Sequence, residues 1–194
     1  MPEWSRFKGF ALVAFLVLVG DQISKWKALE HLTNTFEPST SGVPLSFADK
    51  VSRFTSTRHP DSRRAVEVVR DVWEYRYVEN PGAAWGFLSQ TKSRLRTPFF
   101  IVVTVAAMVF ILFYFYSTSR YQTLLRTALA LVFGGAIGNF IDRVRLGYVI
   151  DFIHWHWRDA FSWPTFNIAD SAITVGVVFM ALDLFLSRPE STRR

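Results

Sequence analysis

The sequence contains no cysteine. That absence excludes disulfides, thiolate metal sites and a cysteine nucleophile, and it means the chain cannot itself be a lipoprotein anchored through cysteine. Histidine is sparse, at 4 residues, and no HExxH pair occurs, so the usual zinc-hydrolase pattern is missing. There is no internal repeat and no low-complexity tract.

Apolar surface is what the chain has in quantity. Half of its 194 residues are hydrophobic and 16% are aromatic, with 19 Phe and 7 Trp. A soluble core accommodates that bulk figure, but the distribution does not suit one. The apolar residues gather in four blocks, and the charges lie between them, which is the pattern of a membrane protein. The blocks run from about Phe7 to Leu29, Phe99 to Tyr116, Leu124 to Ile141 and Ile168 to Leu186. Each approaches the roughly 20 residues needed to cross a bilayer. Pro98 is read as a helix start, where a missing N–H is tolerated. A cleavable signal peptide is the rival for the first block. Asp21-Gln22-Ile23-Ser24-Lys25-Trp26 offers no small-residue cleavage site there, so a retained helix fits better.

The formal net charge is +6. Its placement beside the apolar blocks suits membrane orientation and contact with anionic lipid, and four spans exclude a soluble nucleic-acid binder. Arg6 and Lys8, then Arg120 and Arg126, then Arg188, Arg193 and Arg194 fall on one side of a four-span chain. The positive-inside tendency makes that side the cytoplasm, with both termini there.

The loop from about Glu30 to Thr97 is then outside. From Phe36 to about Arg64 it is rich in Ser, Thr, Pro and charge, and is expected to be irregular. Val72 to Val78 alternates, with Trp73, Tyr75 and Tyr77 on one face, and Asn80-Pro81-Gly82 makes a turn. A second alternating stretch, Tyr148 to Trp157, joins the last two spans. The expected fold is mainly α: a polytopic, single-domain membrane protein over residues 1–194, with four transmembrane helices and a small antiparallel sheet on the extracytoplasmic side. Trp155, Trp157 and Trp163 suit headgroup level.

This topology brings Asp21, Asp142, Asp151 and Asp170 to one depth at the outer face. Ionisable groups there need a partner or a task. Two adjacent carboxyls cannot both ionise easily, and such a pair can hydrolyse a peptide bond, one acting as base on water and the other as acid to the carbonyl. Asp21 and Lys25, at i and i+4, are either a plain ion pair or substrate contacts. Asp142 reads as structural, neutralising the end of the third helix with Arg143. Asp183, near the inner end of the fourth span, reads as structural or interfacial. Spacing alone leaves Asp151 and Asp170 one candidate pair among several. Gly134 and Gly138 form a small-xxx-small pattern suited to close helix packing. His154 and His156 share a strand face with no further histidine nearby, and no metal or other cofactor is expected. A small transporter or channel subunit is the alternative class, but its acids would be spread along a path through the membrane.

Five motifs, taken together and in order, resemble the prolipoprotein signal peptidase family (signal peptidase II). They are Asp21-Gln22-Ile23-Ser24-Lys25; Asn80-Pro81-Gly82-Ala83-Ala84-Trp85-Gly86; Gly134 to Arg143, with Gly138-Asn139-Phe140-Ile141-Asp142-Arg143 at its end; Val149-Ile150-Asp151-Phe152-Ile153; and Phe166-Asn167-Ile168-Ala169-Asp170. The resemblance implies an aspartic endopeptidase of the bacterial inner membrane with four spans and a small outer sheet. It implies cleavage of prolipoproteins just before a diacylglyceryl-modified cysteine, and inhibition by the cyclic peptide globomycin. It maps the catalytic dyad onto Asp151 and Asp170. Substrate or inhibitor contacts map onto Asn80, Gly82, Asn139, Arg143 and Asn167, with Asp21 and Lys25 supporting the site. On that mapping, Asn139 and Asn167 offer amide hydrogen bonds to the substrate backbone. A monomer is expected. Two departures stand out: the loop from about Thr33 to Asp71 is longer than the family usually carries, and Trp85 stands where Phe is common.

Overall fold

The computed structural model describes residues 4–38, 42–82, 93–119, 121–158 and 160–186. In chain order the elements are α1 (Trp4–Leu32), α2 (Phe47–Ser56), β1 (Val66–Val69), β2 (Trp73–Asn80), α3 (Ser93–Ser117), α4 (Thr123–Leu146), β3 (Val149–Trp157), β4 (Phe161–Ser162) and α5 (Ile168–Leu186). Four of the helices, α1, α3, α4 and α5, are long and apolar enough to cross a membrane. The chain is a multi-pass membrane protein.

The hub is α4. Half of its apolar window is buried, against 11% for each of the other three spans. Small residues make that possible. A Cβ at Gly134 would sit 2.7 Å from the Ala14 carbonyl oxygen of α1, and one at Gly135 would sit 2.5 Å from that of Ala169 on α5. The backbones therefore approach closely on two sides of α4, as small residues in membrane helices allow. α3 joins through Ile111 and Phe115, which pack with Phe10, Leu125 and Leu129. Leu12, Val102, Phe113 and Phe185 stay exposed, as lipid-facing side chains do.

A four-stranded antiparallel sheet, in the order β1-β2-β3-β4, covers one end of the bundle. Its link to α4 is short. Gly147, at φ 90°, closes the helix by donating its N–H to the Arg143 carbonyl, a left-handed cap that glycine adopts without strain. The chain then enters β3 at once, placing Asp151 beside the helix end. β2 pairs with β3 so that Val78 lies opposite Asp151 and Asn80 opposite Val149. An irregularity between Tyr75 and Val78 shifts the register and sets Asn80 over the site. Leu29, Leu146, Tyr148 and Ile150 seal the sheet to the helices.

Three expectations need correction. The span expected from Phe99 begins at Ser93, and Pro98 lies inside the helix. Pro98 forfeits one backbone bond, to the Arg94 carbonyl, near the helix start. The third span does not stop at Ile141 but runs to Leu146, because its terminal charges are paired inside the protein. The segment from Phe36 to Arg64 is not irregular throughout. It holds α2, started by a capping box in which Ser46 Oγ accepts the Asp49 N–H at 3.2 Å and Asp49 accepts the Ser46 N–H at 3.1 Å. Phe54 of α2 stacks on Trp26 at 5.0 Å and lies under the Arg145 guanidinium at 4.2 Å. Ala83, Ala84, Trp85 and Gly86 of the second motif lie outside the described residues, as do Arg120, Arg188, Arg193 and Arg194.

Candidate active site

The C-terminal ends of α1 and α4 and the start of α5 meet beneath β3, and the four carboxyls converge there. They form two groups. The deeper one is built on Lys25, whose ammonium lies 2.8 Å from Asp21, 2.8 Å from Asp142 and 3.1 Å from the Asn139 side-chain oxygen. Three donors meet three acceptors, so this fully buried lysine is satisfied. Arg145 adds a second cation, donating to Asp142 at 3.1 Å. The partner of Asp142 is thus Arg145, one helical turn on, and not the adjacent Arg143.

The two acids of this group also hold backbone. Asp21 accepts the Ala169 N–H at 3.0 Å, and Asp142 accepts the Ile150 N–H at 3.2 Å. Ala169 immediately precedes Asp170, and Ile150 immediately precedes Asp151. Each acid of the upper group therefore hangs from a peptide unit gripped by an acid of the lower group.

In the upper group every described partner of the carboxyls is an amide. Asp151 accepts from the side chains of Asn80 at 2.9 Å and Asn167 at 2.7 Å. Asp170 accepts from the Asn139 side chain at 2.7 Å and the Asn167 N–H at 3.2 Å. Asn167 also donates to Asn139 at 3.1 Å, linking the two halves. Local sequence explains part of this: Asn167 is the N-cap of α5 and Asp170 its third residue. The Asp170 N–H returns to Asn167 Oδ1 at 2.9 Å, completing a reciprocal capping box. Burial, and next the charge of Asp170, push the Asp151 carboxyl up to about 8.

A groove of about 530 Å³ opens over Asp170. Asn80, Gly82 and Arg143 form its polar end; Trp155, Trp163 and Phe166 form an aromatic wall; Ile173 and Val175 carry it along α5. Arg143 lies over the Phe100 ring at 5.3 Å, and its buried Nε has no partner among the described residues. Gly82 donates its N–H to Asn80 Oδ1 at 3.1 Å, which closes the turn beside Asp151.

The expected site residues are therefore brought together, in two roles. Asn80, Gly82, Arg143 and Asp170 line the groove. Asp21, Lys25, Asn139 and Asn167 are buried beneath it. The carboxamides of Asn139 and Asn167 donate to the acids in this structure. Asp21 and Lys25 likewise act from below and touch nothing in the groove. The aromatic wall was not anticipated from sequence as part of the site. The capping pattern Asn167-x-x-Asp170 ahead of an apolar run was a readable signal for the Asn167 link.

Four membrane spans, a sheet over one end, and two carboxyls joined through Asn167 at the seam suit an aspartic peptidase working in a membrane. The comparisons with known proteins agree. The family description signal peptidase (SPase) II matches residues 13–186. A lipoprotein signal peptidase of Anaeromyxobacter sp. (strain Fw109-5) is 44% identical over 91% of this chain and 85% of that protein. One from Ectopseudomonas mendocina (strain ymp) is 34% identical over 96% and 95%. A bacterial membrane enzyme solved by the in meso method superposes with a TM-score of 0.67 at 27% identity, covering 96% of this chain and 95% of that one. The chain belongs to the signal peptidase II family of aspartic peptidases.

Proposed function

We propose that this chain removes signal peptides from prolipoproteins, cutting just before the diacylglyceryl-modified cysteine, with Asp151 and Asp170 as its catalytic pair. The observation that carries this reading is the contrast between the two groups. Asp21 and Asp142 are held by cations, whereas among the described residues Asp151 and Asp170 are held by amides; Asp170 lines the groove and Asp151 is buried behind it. Buried acids without a counter-ion share a proton.

The raised Asp151 carries that proton near neutral pH. Asp170, which lines the groove at the start of α5, is assigned the role of base. Asp170 takes a proton from water as the water oxygen attacks the scissile carbonyl carbon. Asp151 gives its proton to the carbonyl oxygen, forming a gem-diol. On collapse the C–N bond breaks, the leaving nitrogen takes the proton from Asp170, and a diol hydroxyl returns one to Asp151. Arg143, with its unpartnered Nε, suits a substrate carbonyl. The apolar face of α5 at Ile173 and Val175 suits the substrate's lipid chains.

The orientation keeps both termini in the cytoplasm and the site near the outer face of the bacterial inner membrane. Phe7, beside Lys8, packs on Phe115 at 5.4 Å, and Arg126 lies over the same ring at 5.4 Å. Two basic positions thus share the end of the bundle away from the sheet, which supports the positive-inside assignment. The chain acts as one domain and as a monomer, and globomycin-type cyclic peptides inhibit it in the same groove. A transporter would have acids along its depth; here four converge at one end.

The test is cleavage in detergent of a diacylglyceryl-modified prolipoprotein and of the same precursor without lipid. Only the lipidated precursor is cut. Asp151→Asn and Asp170→Asn each remove activity by about 10²–10⁴-fold or more while the unfolding transition persists. A folded Asn variant that retains substantial activity sinks the choice of residues. Wild type that cuts nothing, beside an active relative, sinks the enzyme reading.

A further inference from the structure

A second groove, of about 470 Å³, lies between the outer end of α1 and the sheet. It shares no lining residue with the groove over Asp170. Ala28, Leu32, Tyr75 and Phe152 make its walls apolar, and Lys27 and His31 stand at its mouth. Two observations identify an occupant.

The first is continuity with the lipid-facing surface. Lys27 and His31 continue an exposed stripe of α1 that runs through Leu16, Gly20 and Ile23, residues one helical turn apart. Gly20 leaves that stripe open, with nothing within 4 Å of where its Cβ would be. α1 has 29 residues, about 44 Å of helix against roughly 30 Å of hydrocarbon. The stripe therefore lies in the acyl region, and Lys27 and His31 reach headgroup level.

The second is charge. The Lys27 and His31 side chains are 61% and 67% exposed. Their one acidic neighbour, Glu30, is already shared with Lys50, at 2.7 Å from Lys27 and 3.6 Å from Lys50. Arg63 donates its N–H to the Leu32 carbonyl, so the segment bearing exposed Arg64 runs past the upper rim. The mouth thus has more cations than carboxylates.

We propose that this groove seats an anionic glycerophospholipid of the outer leaflet. Its phosphate sits against Lys27 and His31, its glycerol region fills the apolar pocket, and one acyl chain lies along Ile23, Gly20 and Leu16. The leaflet rests on the orientation proposed above. The binding itself is read without turnover, so the two can fail separately.

The experiment is native mass spectrometry of the full chain released from detergent micelles, with phosphatidylglycerol, phosphatidylcholine or glycerol 3-phosphate added. Wild type retains phosphatidylglycerol at least about fivefold more than phosphatidylcholine, an ordinary effect for one lysine near a phosphate. Lys27→Glu abolishes the preference, and Ser24→Trp, which fills the groove, reduces retention of both lipids. Thermal unfolding of each variant verifies its fold, and Lys27→Glu keeps its prolipoprotein cleavage. Equal retention of the two lipids by wild type overturns the proposal, as does an unchanged preference in Lys27→Glu. Glycerol 3-phosphate displacing the lipid at equal concentration overturns it too, since the site then recognises phosphate and not a chain.

Discussion

Two pairs of aspartates lie within one small volume at the sheet-covered end of the bundle, and they are held in opposite ways. Asp21 and Asp142 share the Lys25 ammonium at 2.8 Å each, with Arg145 on the far side. Asp151 and Asp170 receive only N–H groups from Asn80, Asn139 and Asn167. A cation fixes a carboxylate in its charged form. Amide N–H groups orient a carboxyl and favour its charged form without supplying a counter-charge. The lower pair thus has a counter-charge and the upper pair has only amide partners among the described residues, although the residue type is the same.

Replacing the cation gives the largest expected effect. Lys25→Met leaves two buried acids uncompensated and lowers stability by about 3–5 kcal/mol, read by thermal unfolding in detergent. Adding Asp21→Asn and Asp142→Asn to that variant recovers much of the loss. No recovery would mean that Lys25 matters for its packing and not for its charge. The link between the groups comes next. Asn139→Ala removes the bond that holds Asp170 and one acceptor of Lys25, and kcat falls about 10²-fold, the scale of a misplaced catalytic group. A change confined to KM would instead make Asn139 a substrate contact.

The smallest effect is a shift on the pH axis. Asp151 works protonated, so activity falls as pH rises through the value near 8 to which burial and Asp170 push it. The Asn80 hydrogen bond favours the charged form and opposes that shift. Asn80→Ala therefore moves the alkaline limb of kcat/KM to higher pH. A limb that stays fixed would assign it to another group.

Much of this arrangement was legible in the chain. The four spans are apolar blocks of bilayer length, and the two strands alternate. Span count and orientation alone bring the four acids to one end. What escaped was set by contacts that sequence spacing does not report. α2 has only Phe47, Val51 and Phe54 as its apolar face, in a stretch rich in Ser and charge, and Trp26 and Arg145 supply the rest of its support. The partner of Asp142 was misread because adjacency suggested Arg143, whereas residues three apart share a helix face. The resemblance assigns the asparagines to substrate, and the links of their side-chain amides to the acids are not readable from spacing. In the folded chain the amide of Asn139 faces Asp170 and that of Asn167 faces Asp151.

The capping box at the head of α5 bears on biosynthesis. Asp21 and Lys25 are made first, Asn139 and Asp142 much later, and Asn167 and Asp170 last of all. Domains assemble from the N-terminal side during synthesis, and Asp170 meets Asn139 only once the final helix has started and docked. On the proposed catalytic pairing, a half-inserted chain therefore holds one lone acid where two are required. Hydrolytic competence arrives with the last span, and the nascent protein is latent until its own insertion is finished.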